Sequence, residues 1–160
     1  GDGCMGMINK NKYKGVHTFI LSKDGKEISR KVFENIIVKE GRNKVNKILA
    51  GATLTTNGIN YCGLGTGSTA ISDDDTQLES ESARKIRGSY SLDTTTDSFI
   101  VSFYFNPTEA NGTFTRYATF IDGTETANSG SLFSHAEITL TKASGEGLTI
   151  VSEYTLYDYT

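Results

Sequence analysis

The chain has apolar side chains at every second position in several short segments. The clearest is residues 98–106, where one face carries Phe99, Val101, Phe103 and Phe105. Alternation with a period of two is typical of a strand that has one buried face. Pro107 comes directly afterwards, and a proline cannot donate to the hydrogen-bond ladder of a sheet. A core strand is therefore predicted to end there.

Further strands are predicted where shorter apolar runs lie between turn signals. The Asp-Gly pair at residues 24–25 favours a hairpin turn between a first strand at 17–22 and a return strand at 27–38 that bends near Phe33. Later strands are predicted at residues 59–64, 113–122, 131–142 and 147–159, and a strand pair or one long irregular strand is predicted at 78–92. In the 113–122 segment the alternation places on one face Phe114, Arg116, Ala118 and Phe120.

Only residues 41–51 have the helical period. Val45, Ile48 and Leu49 share a face at the spacing i, i+3, i+4, and Gly51 suits the position just after a helix end. Six to eight short strands and this single helix together predict an all-β fold. We expect a β-sandwich or jelly roll with one short helix near residues 41–50.

A glycine-rich stretch joins the strand at 59–64 to the acidic residues that follow. Gly63, Gly65 and Gly67 lie at alternate positions, which allows positive φ angles and close approach of another segment. A phosphate-binding loop needs a Lys-Ser/Thr pair after its last glycine, and a dinucleotide loop needs a following helix. Neither is present, so no nucleotide or other cofactor is expected.

The acidic triplet Asp73, Asp74 and Asp75 is a weak candidate for a cation site, because calcium prefers clustered oxygens. The preferred interpretation is a solvated turn in which Asp75 caps the segment that follows. A glycan-cleaving pair would need one of these carboxylates close to Glu109 or Glu137. His17 and His135 are predicted to lie at the surface or an interface. No active site emerges, and the chain is not expected to be an enzyme.

Length and composition predict one domain. The chain has 160 residues and two cysteines, and Cys62 is expected to be a buried, unreactive thiol. We predict a flexible basic arm up to residue 15, with residues 1–6 interpreted as an expression remnant, and a single domain over 16–160. No signal peptide or membrane-spanning segment is recognised, which predicts synthesis in the cytoplasm.

The charge is unevenly distributed along the chain. Residues 1–47 carry a net charge of +6 and residues 48–160 a net charge of −9. This order is compatible with an acidic partner or with head-to-tail contacts between copies, and also with charges that interleave once folded. Neither nucleic acid nor a membrane is the expected partner. The candidate partner-binding residues are Lys10, Lys12, Lys14, Arg30, Lys31, Arg84 and Arg116.

A set of short segments resembles a family of small tailed-phage virion proteins associated with tail fibres and baseplates. The set runs from Asn-Ile-Ile-Val-Lys-Glu-Gly-Arg at residues 35–42 through Leu-Gly-Thr-Gly-Ser-Thr at 64–69 to Glu-Ala-Asn-Gly-Thr at 109–113. The resemblance also includes Asp-Thr-Gln-Leu at 75–78, Gly-Ser-Leu-Phe at 130–133 and Leu-Thr-Ile at 148–150. It spans about residues 35–155. Arg116 departs from it, because the family usually has an acidic residue near this point.

The resemblance implies a β-sandwich that assembles on a phage particle. The expected function is structural, with other virion proteins as partners, several copies per particle and the virion as location. The expected position on the particle is the tail, the baseplate, a fibre or the capsid surface. The alternative is a receptor- or carbohydrate-binding module at a fibre tip, for which the polar loops at residues 65–75 and 122–130 are the candidates. Host-surface glycans would then be the ligands.

Overall fold

Two five-stranded antiparallel sheets pack face to face in the computed structural model, which describes residues 10–52 and 55–159. The elements in chain order are β1 (Lys10–Lys23), β2 (Lys26–Glu34), β3 (Ile36–Ile37), α1 (Lys39–Leu49), β4 (Ile59–Gly65), β5 (Glu81–Ile86), β6 (Ser89–Asp93), β7 (Ser98–Phe105), β8 (Gly112–Ile121), β9 (Ser131–Lys142) and β10 (Gly147–Tyr159). Sheet A has the order β2-β1-β10-β7-β6, and sheet B has the order β3-β9-β8-β4-β5. The predicted all-β sandwich with one short helix is confirmed.

The main core lies between the two sheets. Sheet A contributes Phe19, Val101, Phe103, Phe105, Leu148, Ile150 and Tyr154, and sheet B contributes Leu64, Phe114, Tyr117, Ala136, Ile138 and Leu140. All of these residues are at most 5% exposed. The alternation predicted for residues 98–106 is confirmed, since Val101, Phe103 and Phe105 are all buried. Burial of this face stabilises the fold because it removes apolar area from water.

Strand β1 begins earlier than the sequence predicted. Its pairing with β10 runs continuously from Lys10, opposite Tyr159, to Ser22, opposite Gly147. The prediction of a flexible arm is therefore wrong for residues 10–15, since the partner strand satisfies their backbone groups. Residues 1–9, which include the predicted expression remnant, lie outside the described part of the chain.

Four crossings carry the chain from one sheet to the other: between β2 and β3, β5 and β6, β7 and β8, and β9 and β10. Between β2 in sheet A and β3 in sheet B the chain turns at Asn35, close to the bend predicted near Phe33. The segment 78–92, predicted as one long strand or a strand pair, contains two strands that do not pair with each other, β5 in sheet B and β6 in sheet A. The corner between them is held by hydrogen bonds from Arg87 N to Asn60 O and from Gly88 N to Ser102 O.

Strand β8 corrects a prediction about facing side chains. Its register shifts against β9 between Phe114 and Arg116. Phe114 packs in the main core, whereas Ala118 and Phe120 belong to a second cluster on the other side of sheet B. The bulge moves the alternation by one position, so Phe114 does not share a face with the others.

Helix α1 begins at Lys39, two residues before the predicted start. The Val38 N–H donates to the Phe133 carbonyl, and a Cβ on Gly41 would lie 2.7 Å from Phe133 Cα. Glycine at this position thus allows the helix to pack closely on β9. At the other end Gly51 has a φ of +80°, as expected for the residue after a helix. Among the described residues, no helix has the length and hydropathy needed to span a membrane.

Substitution of Gly130 by alanine is expected to destabilise the fold by about 3 kcal/mol, whereas Gly145→Ala is expected to cost about 1 kcal/mol. Both glycines have positive φ, +83° and +91°. A Cβ at Gly130 would also lie 2.7 Å from backbone atoms of Gly123 and Ile121, but one at Gly145 would meet nothing within 4 Å. Urea unfolding of the two variants measures the difference, and equal losses would contradict the close-packing argument.

Candidate functional site

The outer face of sheet B carries a second, smaller apolar cluster. It consists of Tyr61, Ala118, Phe120 and Leu132 from the sheet with Val38 beside them and Leu78 from residues 66–80. We call the segment 66–80 the strap. Leu78 is 1% exposed, and Asn128 fixes it by accepting a hydrogen bond from its N–H and donating one to its carbonyl. The strap therefore covers this face with the chain's own residues.

The predicted role of the glycine-rich stretch is confirmed in one respect and wrong in the other. A Cβ on Gly65 would lie 2.5 Å from the Glu79 carbonyl oxygen, and one on Gly63 would lie 2.8 Å from Leu78 Cδ2. The glycines thus let the strap approach β4 closely. None of Gly63, Gly65 and Gly67 has a positive φ, so their left-handed freedom is not used.

Each carboxylate of the acidic triplet has a different partner. Asp73 accepts two hydrogen bonds from Arg42, at 2.6 and 2.9 Å, and this guanidinium lowers the pKa of Asp73. Asp74 pairs with Lys39 at 3.0 Å.

Asp75 accepts from the Ser72 N–H at 2.8 Å and contacts His135 Nδ1 at 2.9 Å. No helix follows Asp75, so its predicted capping role is wrong. The described residues contain no group of three or more Asp, Glu, His and Cys that could hold a metal ion.

The other carboxylates considered for glycan cleavage are also paired with basic side chains. Glu109 accepts two hydrogen bonds from Lys85 Nζ, at 2.9 and 2.7 Å, which lowers the pKa of Glu109. Glu137 lies 3.9 Å from Arg116 in the neighbouring strand. Each of these two carboxylates is therefore paired with a basic side chain of its own, as Asp73 and Asp74 are.

Arg84 and Arg116 are buried, which corrects their prediction as partner-binding residues. The Arg84 side chain is 5% exposed and pairs with Glu81, 1% exposed, at 2.8 Å. Its guanidinium also lies 4.2 Å from the centre of the Phe120 ring and donates to Ser129. Arg116 is 8% exposed and donates to the carbonyls of Thr115 and Thr69, so it anchors the strap to β8.

The remaining basic candidates lie on the first two strands. Lys14 pairs with Glu34 at 3.2 Å, and Arg30 pairs with Glu27 at 2.8 Å, with both basic side chains about half exposed. Lys31 donates to the carbonyl of Thr139 at 3.1 Å. Lys10 and Lys12 belong to the backbone of β1, but their side chains lie outside the described part of the structure. The predicted interleaving of charges is visible where Lys39, Arg42 and Lys44 pair with acidic residues from the second part of the chain.

A buried polar chain crosses the main core. The Tyr117 hydroxyl lies 2.6 Å from Ser152 Oγ, which lies 2.7 Å from His17 Nδ1, and His17 Nε2 lies 2.5 Å from Asn35 Oδ1. The amide oxygen can only accept, so Nε2 carries the proton and Nδ1 accepts from Ser152. Burial lowers the pKa of His17 to about 4, which keeps the imidazole neutral.

Ser152, His17 and Asn35 are hydrogen-bonded in the same order as the nucleophile, the base and the orienting residue of a catalytic triad. Both His17 and Ser152 are 0% exposed, so no substrate reaches them. His135 is also buried, at 3%. The prediction that the histidines lie at the surface or an interface is therefore wrong, since both are buried within the chain, and the hydrogen bonds of His17 connect strands. The expectation of a buried Cys62 is confirmed, and burial raises the pKa of its thiol.

The exposed apolar side chains point to a different region. Eight large apolar residues of the described chain are exposed, and six of them belong to sheet A: Ile28, Val32, Tyr90, Leu92, Tyr104 and Leu156. Leu92 is 73% exposed and Tyr90 is 65% exposed. Sequence reasoning missed these residues, although the alternation in Ser89–Asp93 resembles that of a strand with an apolar face. The sequence of this strand does not show whether its apolar face is covered, because that depends on which element of the fold packs against it.

A groove with a volume of about 720 Å³ lies beside the start of α1, between β1 and the β2–β3 corner. Its polar walls are formed by residues that are already paired, Arg42 with Asp73 and Lys14 with Glu34. A smaller apolar groove of about 250 Å³ lies between α1 and β6, and Tyr90 and Leu92 form part of its wall. The apolar groove thus belongs to the same region as the exposed side chains of β6.

Comparison with protein families, curated proteins and solved structures finds no match for this chain. The fold class therefore rests on the structure itself. The candidate site that the geometry favours is a contact surface on sheet A, because the titratable groups described above are buried or paired within the chain.

Proposed function

We propose that this chain is a non-enzymatic structural component of a tailed-phage particle and acts through protein–protein contacts made by sheet A. The observation that carries the proposal is the outer face of sheet A, where the apolar side chains of Val32 and Tyr104 are 58% and 50% exposed. Exposed apolar surface on a folded domain is a mark of an interaction site. The two-sheet fold is also of the class that the resemblance to phage virion proteins implies.

The two outer faces of the sandwich differ in how far they are covered, and this difference supports the proposal. The outer face of sheet B is closed by the strap, which makes a second cluster with Phe120 and Leu132. On the outer face of sheet A, the central strands β1, β10 and β7 carry Ile20, Val151 and Ile100, which stay partly exposed. A chain that covers one face and leaves the other open retains that second face for a partner.

The charges at the rim of sheet A indicate what kind of partner fits. The β1–β2 hairpin carries three exposed lysines, Lys23, Lys26 and Lys31. An acidic surface on a neighbouring virion protein would be attracted to this rim, and such pairing favours association rate and orientation more than affinity. We infer that the protein is made in the host cytoplasm and is carried in several copies in the virion.

Purified phage particles provide the test. Cells that carry the gene are induced, particles are isolated on a density gradient, and the chain is quantified by mass spectrometry. We expect the chain to co-purify with particles, and we expect Val32→Lys and Tyr104→Lys to reduce incorporation about tenfold or more because they charge the open face. The matched control is Leu49→Lys on α1, which is 79% exposed but outside sheet A.

Absence of the chain from purified particles would overturn the phage assignment. Equal incorporation of all three variants would overturn the assignment of the contacts to sheet A. Thermal unfolding of each variant first establishes that the fold is intact, since an exposed lysine costs little stability.

The second candidate function, carbohydrate or receptor binding at a fibre tip, is favoured by the convergence of two polar loops. Arg84 in β5 donates to Thr124 and Ser129 of the 122–130 loop, while Asn128 of the same loop holds Leu78 of the strap. Many of their polar groups are thus used within the chain, which places this candidate second. A glycan array on the particle-bound protein tests it, and binding abolished by Thr126→Trp would favour it over the structural role.

A further inference from the structure

Four strands form the edges of the two sheets, and β6 differs from the other three. Edge β2 carries five charged residues among nine, edge β5 carries three among six, and edge β3 is two residues long. Strand β6 reads Ser-Tyr-Ser-Leu-Asp, with its only charge at the last position. Natural edge strands are protected from pairing by charges, prolines, bulges or shortness. Within the described residues, β6 has no proline, no bulge and no charge before its last position, so only its short length and Asp93 protect its outer edge.

We propose that β6 pairs antiparallel with β6 of a second copy of this chain, so that sheet A continues as one ten-stranded sheet across two molecules. This inference goes beyond the proposed function, because the β6 edge is a second contact site, distinct from the outer face of sheet A. The register that fits is centred on Ser91, which lies opposite Ser91 of the second copy. Tyr90 of each copy then lies opposite Leu92 of the other.

The side-chain pattern of β6 is self-complementary in this register. Tyr90 and Leu92 lie opposite Val101 and Phe99 of β7, so both point to the inner side of sheet A. They are 65% and 73% exposed in the single chain. Pairing two copies brings four apolar side chains together, and cross-strand pairs of an aromatic with an aliphatic residue stabilise antiparallel strands. Ser89 lies opposite Asp93 of the other copy, so the register places no like charges opposite each other.

The charges at the two ends of β6 favour a second copy over an unrelated strand. Arg87 precedes β6, and Asp93 ends it. Arg87 lies over the Tyr90 ring at 5.1 Å and donates to the carbonyls of Asn57 and Ile59, and Asp93 accepts from Thr95. An antiparallel copy places each basic end diagonally next to the acidic end of its partner, within reach of a long side chain.

A pair of five-residue strands is a small interface, well below the area of a stable dimer in solution. We therefore expect reversible association of the free protein, strengthened where copies are held side by side on a particle and face one another at high effective concentration. A two-fold contact of this kind closes on itself and does not propagate, because each molecule has one β6 edge.

Cysteine cross-linking tests the register. In a Cys4→Ser background, Ser91→Cys is oxidised at increasing protein concentration and analysed on non-reducing gels. We expect a disulfide-linked dimer at about tenfold or more the level given by Val32→Cys, a matched exposed position on the opposite edge strand of the same sheet. Equal cross-linking at the two positions would overturn the proposal, and stronger cross-linking of Ser89→Cys than of Ser91→Cys would overturn the register.

Sedimentation of the uncross-linked protein is the second measurement. We expect concentration-dependent dimers that are lost in Leu92→Lys and retained in Val32→Lys. A monomer at every concentration together with equal cross-linking, or dimers that persist in Leu92→Lys, would contradict pairing through β6. The outcomes separate the two proposals: a Leu92→Lys protein that still enters particles leaves the structural function intact, and a β6 dimer that is absent from particles leaves the pairing intact.

Discussion

Replacing Arg84 by methionine is expected to lower the free energy of unfolding by about 3–5 kcal/mol, because it leaves the Glu81 carboxylate buried without its cation. The Glu81 side chain is 1% exposed and accepts from Arg84 Nε at 2.8 Å. The same guanidinium stacks on Phe120 and donates to the Thr124 carbonyl. Its loss therefore affects β5, the second apolar cluster and the 122–130 loop together.

Urea denaturation of Arg84→Met measures this loss. The matched control is Arg30→Met, which breaks an ion pair between side chains that are 54% and 46% exposed. Solvent screens such a pair, so we expect the control to change stability by less than about 1 kcal/mol. A double variant, Arg84→Met with Glu81→Leu, is expected to recover part of the loss, since no charge is then buried alone. Equal, small effects of Arg84→Met and Arg30→Met would contradict the assigned role.

Acidification is expected to remove about 3 kcal/mol of stability between pH 6.5 and pH 4 through His17 alone. The pKa of this imidazole falls from 6.5 to about 4 on folding, because it is buried with no room for a hydration shell. Between these values the unfolded chain binds a proton that the folded chain does not. Stability is therefore greatest above pH 6.5, decreases as pH falls towards 4, and does not change further from this group below pH 4.

Two measurements check this pH dependence. Unfolding by urea at pH 7 and pH 5 should differ by about 2 kcal/mol, in a range above the titration of most carboxylates. NMR titration of the folded protein should show a His17 imidazole that stays neutral at pH 5. Burial also lowers the pKa of His135, so this residue contributes in the same direction. A His17 resonance that titrates near pH 6.5 in the folded protein would contradict the prediction.

The strand pattern could be predicted because alternation is a local property. The 98–106 segment and the last two strands, Ser131–Lys142 and Gly147–Tyr159, follow from residues that are neighbours in sequence. The helix near residues 41–50 follows from the 3.6-residue spacing of Val45, Ile48 and Leu49. Errors occurred where a bulge changed the phase, as in β8 after Phe114.

The candidate residues were the least predictable part, because side-chain exposure depends on distant segments. Arginine is usually a surface residue, yet the strap covers Arg116 and the 122–130 loop covers Arg84. His17 lies on a strand with ordinary alternation, but Ser152 and Asn35 meet it only after β10 and the β2–β3 corner are in place. No single-sequence signal marks such pairs, since their separation along the chain is 135 and 18 residues.

The amino-acid sequence by itself determined that this chain makes strands of alternating polarity, one short helix and a close passage at Gly63 and Gly65. Those features arise from backbone preferences and side-chain period, which act within a few residues. Only the tertiary structure decided which outer face is covered, which edge is left open and which charges are buried. These properties depend on the order of strands in the two sheets, and that order is set by contacts between residues far apart in the chain.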